Sequence, residues 1–342
     1  MSSTTKICSQ CVLPESFPGI RFNAQGVCNF CSSQKGKEYQ QEKKAEYSRK
    51  FDGLLAKYQG RSGYDVLMCY SGGKDSTYTL SIFKEKYRLN VLALSFDNGF
   101  FPQQTLKNIQ NVVEKLGVDH ILFKPRFDIL AKVFRFCSSH DVYSPKALER
   151  SSAICTSCMG FIKYSALRLA VEKDIPFIGY GWSPGQAPIT SSILMNTPAM
   201  VKAMQKMLFD PLYQIVGDPI KPYFLEEKHF NGSYNFPYNV NPMAFLEYDI
   251  DAIYENISRF GWKKPEAVDA NSTNCMLNSF ANLVHKQRLA YHPYAFELAN
   301  LVREGYLDRE TAMKRLNEPE DPTTIAWVKD KLEAASDPFY LP

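Results

Sequence analysis

The sequence predicts an α/β fold: a parallel sheet with helices on both faces, preceded by a small cysteine-rich ribbon and followed by a helical C-terminal region. Three observations carry this. From residue 60 onward, β-prone apolar runs at 65–70, 90–96, 120–124 and 175–180 alternate with helix-length segments at 77–87, 104–116 and 160–173. Strands alternating with helices imply right-handed crossovers and parallel pairing. A glycine turn, Ser71-Gly72-Gly73-Lys74, joins the first strand to the first helix, the kind of junction at which open parallel sheets hold ligands. Finally, 45% hydrophobic content over 342 residues fills a sizeable core, while no run approaches the ~18 consecutive apolar residues of a membrane span.

In chain order, residues 1–35 read as a zinc ribbon. Cys8 and Cys11 are followed after sixteen residues by Cys28 and Cys31, a spacing that brings four thiolates into one tetrahedron from two knuckles. Pro14, Pro18-Gly19 and Gln25-Gly26 supply the turns. Redox or iron–sulfur ligation is the other use of such a set. Four protein ligands close a zinc shell, so the expected role is structural. Residues 36–60 are charged and helix-compatible, a solvated linker helix.

The core spans 61–182, and its chemistry starts at Ser71-Gly72-Gly73-Lys74-Asp75-Ser76 after the apolar Val66-Leu67-Met68-Cys69. The first turn of a helix leaves N–H groups unpaired at the positive dipole end, so strand, glycine turn and helix start form an anion cradle. The glycines permit positive φ and close approach, Ser71 and Ser76 offer hydroxyl donors, and Lys74 is a point charge. Asp75 repels an anion unless it caps the helix or holds a cation such as Mg²⁺. The spacing departs from the Walker pattern, which places four residues between its first glycine and the Gly-Lys pair. Asp97-Asn98-Gly99, Lys124-Pro125-Arg126 and Gly179-Tyr180-Gly181-Trp182 end the other strands and are expected to converge on the same crevice. Lys124 and Arg126 read either as phosphate-neutralising or as solvated surface.

Nine cysteines, six of them in Cys-x-x-Cys pairs, suit metal ligation better than a secreted disulfide scaffold, and a cytoplasmic location is expected. Cys155 and Cys158 open a helix, a position that lowers thiol pKa. With the distant Cys275 they make a three-thiolate set with an open position, suited to a [4Fe-4S] cluster or a second metal. The competing reading is a group of small buried hydrophobes. Residues 183–248 are rich in proline, aromatics and methionine and are expected to fold as short helices and loops over the site mouth, a substrate or partner surface. Residues 249–342 carry a helical tail from about 281 to 335. His229, His285 and His292 read as core or surface histidines before they read as functional ones.

The run Ser71–Ser76 resembles the signature of PP-loop ATP pyrophosphatases, of the adenine nucleotide alpha hydrolase-like fold. The resemblance implies ATP and Mg²⁺ at Ser71, Gly72, Gly73, Lys74, Asp75 and Ser76, with Ser95, Asp97, Asn98 and Gly99 beside the adenosine. A plain strand-exit turn is the other reading of Asp97-Asn98-Gly99. A more specific likeness joins Cys8-x-x-Cys11-Val-Leu-Pro14, Pro18-Gly19-Ile20-Arg21-Phe22, Gly26-Val27-Cys28-x-x-Cys31, the Cys155-x-x-Cys158 pair and the late run Arg303–Ala312. Together they are similar to the N-acetyl sugar amidotransferases of lipopolysaccharide and flagellar glycan biosynthesis.

That likeness implies a two-step reaction. The acetamido oxygen of a nucleotide-sugar attacks the α-phosphate of ATP, pyrophosphate leaves, and ammonia displaces AMP to give an acetamidino group. Ammonia would come from a separate glutaminase and a channelling subunit. Cys155, Cys158 and Cys275 also resemble the set that PP-loop thiolases use with a [4Fe-4S] cluster to thiolate tRNA or a small molecule, which makes sulfur transfer the alternative. A non-catalytic nucleotide-binding scaffold is the third reading. The net charge of +4 neither demands nor excludes nucleic acid.

Overall fold

The computed structural model describes residues 6–335. In chain order the elements are α1 (Asn29–Ser32), α2 (Lys37–Tyr58), β1 (Val66–Cys69), α3 (Lys74–Ser81), β2 (Val91–Phe96), α4 (Gln103–Leu116), β3 (Asp119–Phe123), α5 (Phe127–Ser139) and α6 (Ala153–Glu172). Then follow β4 (Phe177–Gly179), β5 (Ile193–Met195), α7 (Pro198–Val216), β6 (Tyr238–Val240), α8 (Ile250–Ser258), α9 (Leu277–Leu289), α10 (Ala295–Glu304), α11 (Arg309–Asn317) and α12 (Pro322–Ala334). The strands form one sheet in the order β3-β2-β1-β4-β6-β5. All neighbours pair in parallel except the edge pair β5–β6.

All four anticipated strands form: β1, β2 and β4 are trimmed by a residue or two, and β3 is shifted one residue toward the N-terminus. β2 shows why they read as continuous apolar runs: each of its six residues is buried, because helices cover both faces of a parallel sheet. One face packs α2, α3, α4, α8 and α10, and the other packs α5, α6, α7, α9 and α12. The helix anticipated at 77–87 starts earlier, at Lys74, and its last turn, Ile82–Lys86, is π-helical. α6 is long and apolar enough to cross a membrane by composition alone, but 56% of its apolar window is buried inside the protein. It is the core helix beneath β1 and β4.

Two segments differ from expectation. α2 does not only link: it buries Tyr47, Phe51 and Leu55, and the Phe51 ring meets Phe177 at 5.8 Å and Phe245 at 5.9 Å. Residues 183–248, expected as short helices and loops, supply β5, β6 and the nineteen-residue α7. Three-residue strands are too short for alternation to show. α7 carries Pro211 inside it, which argues against a continuous helix when read from sequence.

Candidate active site and cysteine centres

The candidate phosphate loop, residues 71–76, is fixed by its surroundings. Gly72 has φ +75°, and a Cβ there would stand 2.7 Å from Ile109 Cγ1, so glycine alone fits. Trp262 Nε1 donates to the Gly72 carbonyl at 2.9 Å. Gly73 is the N-cap of α3, and its carbonyl accepts the hydroxyls of Ser76 at 3.1 Å and Thr77 at 2.8 Å. The hydroxyls of Ser71 and Ser76 are 3.0 Å apart. Ser95, expected near adenosine, is fully buried, and its hydroxyl donates to the Tyr70 carbonyl at 2.6 Å. Its side chain therefore braces the loop from below.

Lys74 Nζ pairs with both carboxylate oxygens of Asp75, at 2.6 and 2.7 Å. Tyr248 closes the group, accepting from Lys74 Nζ at 3.3 Å and donating to Asp75 Oδ1 at 3.4 Å. Burial and the neighbouring Asp75 carboxylate push the Tyr248 hydroxyl up. Half-buried Glu297 on α10 accepts the Ser183 hydroxyl at 2.6 Å. Burial pushes its carboxyl up against the pull of Ser183, Lys74 and Arg315. Tyr248, Ser183 and Glu297 escaped the sequence reading, since none belongs to a motif and only tertiary folding brings them toward the loop.

The turn after β2 has two functions. Asp97 Oδ1 accepts the Gly99 N–H at 2.8 Å and Asn98 Oδ1 accepts the Phe100 N–H at 3.0 Å, so both side chains hold the turn. Gly99 has φ +86°, and a Cβ there would stand 2.8 Å from the Phe127 ring. Asn98 Nδ2 points at two cysteines, 3.5 Å from each of Cys158 Sγ and Cys275 Sγ. Asn278 Nδ2 reaches Cys155 Sγ at 3.8 Å. The three cysteines that the sequence singled out thus meet at the carboxyl end of β2, beside the phosphate loop. Arg126 does not join them: it is exposed and paired with Asp128 at 2.6 Å, and Lys124 is exposed as well.

One expectation for this trio is overturned. Ser152 caps α6, accepting the Cys155 N–H at 3.1 Å, so the helix starts at Ala153, ahead of the anticipated 160–173 segment, and takes in both Cys155 and Cys158. The thiol pKa values nevertheless move up: burial takes Cys155 to about 12 and raises Cys158 and Cys275. Desolvation of a thiolate outweighs the helix end. The trio is not among the groups whose ligand atoms all lie within 4.8 Å of one another. A single tetrahedral ion draws sulfurs to ~3.8 Å, given Zn–S bonds of about 2.3 Å. The three sulfurs are therefore not gathered as tightly as one such ion would hold them.

The ribbon cysteines do meet that spacing. Cys8 and Cys31 sulfurs are 3.9 Å apart, and Cys11 and Cys28 are 3.7 Å apart, with all four buried and mutually within 4.8 Å. The N–H groups of Cys11 and Cys28 point at Cys8 Sγ at 3.5 and 3.2 Å. Burial pushes the Cys8 thiol up, but these backbone donors outweigh it and bring the pKa to about 6. The neighbouring Cys31 sulfur and burial push the Cys11 thiol up, and burial pushes the Cys28 thiol up, so the fit to a closed metal site rests on the shape of the buried four-sulfur set.

No family model matches the chain. It is 22% identical over 262 residues to an uncharacterised protein of Methanocaldococcus jannaschii, spanning 77% of this chain and 76% of that one. A second uncharacterised protein of the same organism is 26% identical over 140 residues, 38% of this chain and 29% of its own length. Among solved structures the chain is similar to the U34-tRNA thiolase NcsA from Methanococcus maripaludis with its [4Fe-4S] cluster, at 16% identity, covering 91% of this chain and 89% of that one with a TM-score of 0.36. It is also similar to the NH3-dependent NAD synthetase from Campylobacter jejuni, at 14% identity, covering 90% and 98% with a TM-score of 0.35.

The remaining candidates have partners of their own. His229 is fully buried, with Nε2 3.0 Å from Glu172 Oε1 and Nδ1 accepting the Glu226 N–H at 2.8 Å. It is a satisfied core residue. Asp269, His292 and Glu320 bring ligand atoms within 4.8 Å of one another. His292 Nδ1, however, accepts the Tyr294 N–H at 3.1 Å and Lys286 pairs with Glu320 at 2.5 Å, so part of the trio is already engaged. A cavity of about 400 Å³ lined by Tyr58, Arg61, Met195, Phe236 and Tyr238 opens at the amino ends of the strands, the end opposite the phosphate loop.

Proposed function

We propose that this protein is an AMP-forming ATP pyrophosphatase that activates a carbonyl oxygen for group transfer. The observation that carries the reading is the Ser71–Ser76 loop: a helix start shaped by Gly72 and Gly73, with the Ser71 and Ser76 hydroxyls, Lys74 and Asp75 around it. In this reading its donors would turn to the negative charge that builds on departing pyrophosphate. Asp75 is the carboxylate that would hold Mg²⁺, which when bound neutralises phosphate charge. Lys74, its ion-pair partner at 2.6 Å, is the group that entering phosphates would attract. Ammonia is the nucleophile that the N-acetyl sugar amidotransferase resemblance supports, with a nucleotide-sugar acetamido group as acceptor and a separate glutaminase as ammonia source.

A second reading, sulfur transfer, is favoured by one observation: Cys155, Cys158 and Cys275 gather on Asn98 and Asn278 beside the loop. Those three residues would hold a [4Fe-4S] cluster, which supplies an open iron for sulfide. The test combines ATP, candidate nucleotide-sugars and either ammonium or sulfide under anaerobic conditions, with pyrophosphate release and product mass as readouts. Lys74→Ala and Asp75→Ala are expected to lower pyrophosphate release at least 100-fold while keeping the ribbon metal. Undiminished release in both variants removes the assignment of this loop. Ammonium-dependent product that persists in Cys275→Ser selects nitrogen, and sulfide-dependent product that this substitution abolishes selects sulfur.

A further inference from the structure

The cradle at the start of α3 is occupied by the protein itself. The Lys74 backbone N–H, one of the free donors of the first helical turn, donates to Thr273 Oγ1 at 3.0 Å. A Cβ placed on Gly73 would lie 2.9 Å from that same hydroxyl and 3.5 Å from Asn274 Oδ1. Thr273 belongs to a strap, residues 269–276, tied down on both sides of the contact. Asp269 Oδ1 accepts the Asn271 N–H at 2.8 Å. Arg315 Nε donates to Asn271 Oδ1 at 3.1 Å. The Asn274 carbonyl accepts the Thr105 hydroxyl at 3.2 Å, and the Met276 N–H donates to the Phe100 carbonyl at 3.0 Å. Between these last two ties sits Cys275, whose sulfur is 3.5 Å from Asn98 Nδ2.

We propose that Thr273 stands in for a phosphate oxygen, that an entering pyrophosphoryl group displaces it, and that the strap carries this displacement two residues along to Cys275. Thr273 is then a positioning residue that links the phosphate loop to the cysteine trio. A phosphate oxygen that accepted the Lys74 N–H would take the place that the Thr273 hydroxyl holds. By linkage the coupling is reciprocal, so whatever binds at Cys275 changes phosphate affinity by the same factor. The inference rests on the reading of Ser71–Ser76 as a phosphate loop and holds for either nucleophile.

The experiment uses the full chain, purified under reducing conditions, with inorganic pyrophosphate and Mg²⁺ as probe. Binding is measured by calorimetry, and the alkylation rate of Cys275 by peptide mass spectrometry against the buried Cys137 as reference. Saturating pyrophosphate is expected to change the Cys275 rate at least fivefold and leave Cys137 unchanged. Thr273→Ala removes the competitor, so pyrophosphate should bind about fivefold more tightly, the worth of one ordinary hydrogen bond. In that variant the Cys275 rate should no longer respond to pyrophosphate. Binding without a change at Cys275, or unaltered affinity in Thr273→Ala, overturns the coupling while leaving the phosphate loop intact. Absence of binding in the unaltered chain overturns both.

Discussion

At the scale of single residues, close approach and burial decide which groups can serve the site. Gly181 lies against the start of α3, where an added Cβ would stand 2.4 Å from Ser76 Cα and 2.6 Å from Ser76 N. Backbone cannot yield as a flexible side chain does, so Gly181→Ala should shift the helix start and cost ~1–3 kcal/mol in overpacking. We expect pyrophosphate release to fall at least tenfold with the sheet intact by circular dichroism. Release at the unaltered rate would show that the approach is not needed. His285 tests burial of a different kind. Both ring nitrogens lack a hydrogen-bond partner, the ring meets Tyr291 edge-on at 4.7 Å, and burial brings its pKa down to about 4. The folded pKa lies below the ordinary value near 6.5, so its contribution is fully present above pH 6.5 and lost as pH falls toward 4. At ~1.4 kcal/mol per pKa unit the loss is on the order of 3 kcal/mol by pH 4. His285→Phe removes the proton-binding site, and denaturant titrations between pH 7 and 4 should show a correspondingly shallower decline. An unchanged decline would place the sensitivity elsewhere.

At the scale of elements, the glycine turn at 71–74, four strands and the helix that Cys155 and Cys158 open were legible because each obeys a local rule: glycine where φ is positive, an apolar run where both faces are covered, apolar positions at helical spacing where a helix is buried. What escaped had no local signature. Tyr238–Val240 is a strand because it fits between β4 and β5, and its three residues hold no periodicity of their own. The thiol shift was misread for the same reason, since a helix start shows in sequence and the depth of burial around Cys155 does not. Thr273 was passed over although its neighbour Cys275 was singled out, because nothing in the chain says that a hydroxyl 199 residues away meets the Lys74 N–H. The ribbon and α11 illustrate a pairing visible only in three dimensions. Arg309 donates to the carbonyls of Cys11 at 3.0 Å and Cys8 at 3.1 Å, joining two of the stretches on which the family resemblance rests. Arg309 is exposed, so the pair of bonds is worth about 1 kcal/mol, less than when buried. Arg309→Ala should speed loss of the ribbon metal to a chelator several-fold; an unchanged rate would mean that the knuckle holds its shape alone.

At the scale of the whole molecule, the ribbon acts as a wedge under the helix that completes the crevice. Phe17 is 2% exposed. It stacks on Phe296 of α10 at 5.5 Å and meets Phe30 and Tyr291 edge-on at 5.7 and 5.2 Å. α10 carries Glu297 next to Phe296, and the Glu297 backbone carbonyl lies 2.5 Å from where a Gly185 Cβ would stand. The residues that reach the phosphate loop from this side therefore depend on aromatic contacts whose other half is held by four cysteines. A small metal knuckle has little core of its own, and losing the ion releases the chain around it. Chelation should then lower the thermal midpoint by roughly 10 °C, as expected for several kcal/mol lost from a chain of this size. Amide exchange should rise in residues 291–305 as well as in 6–35, and pyrophosphate release should fall although no ribbon cysteine touches the phosphate loop. Exchange confined to 6–35 with full pyrophosphate release would show instead that α10 keeps its place without the ribbon, and that the two ends of the chain are coupled only by proximity.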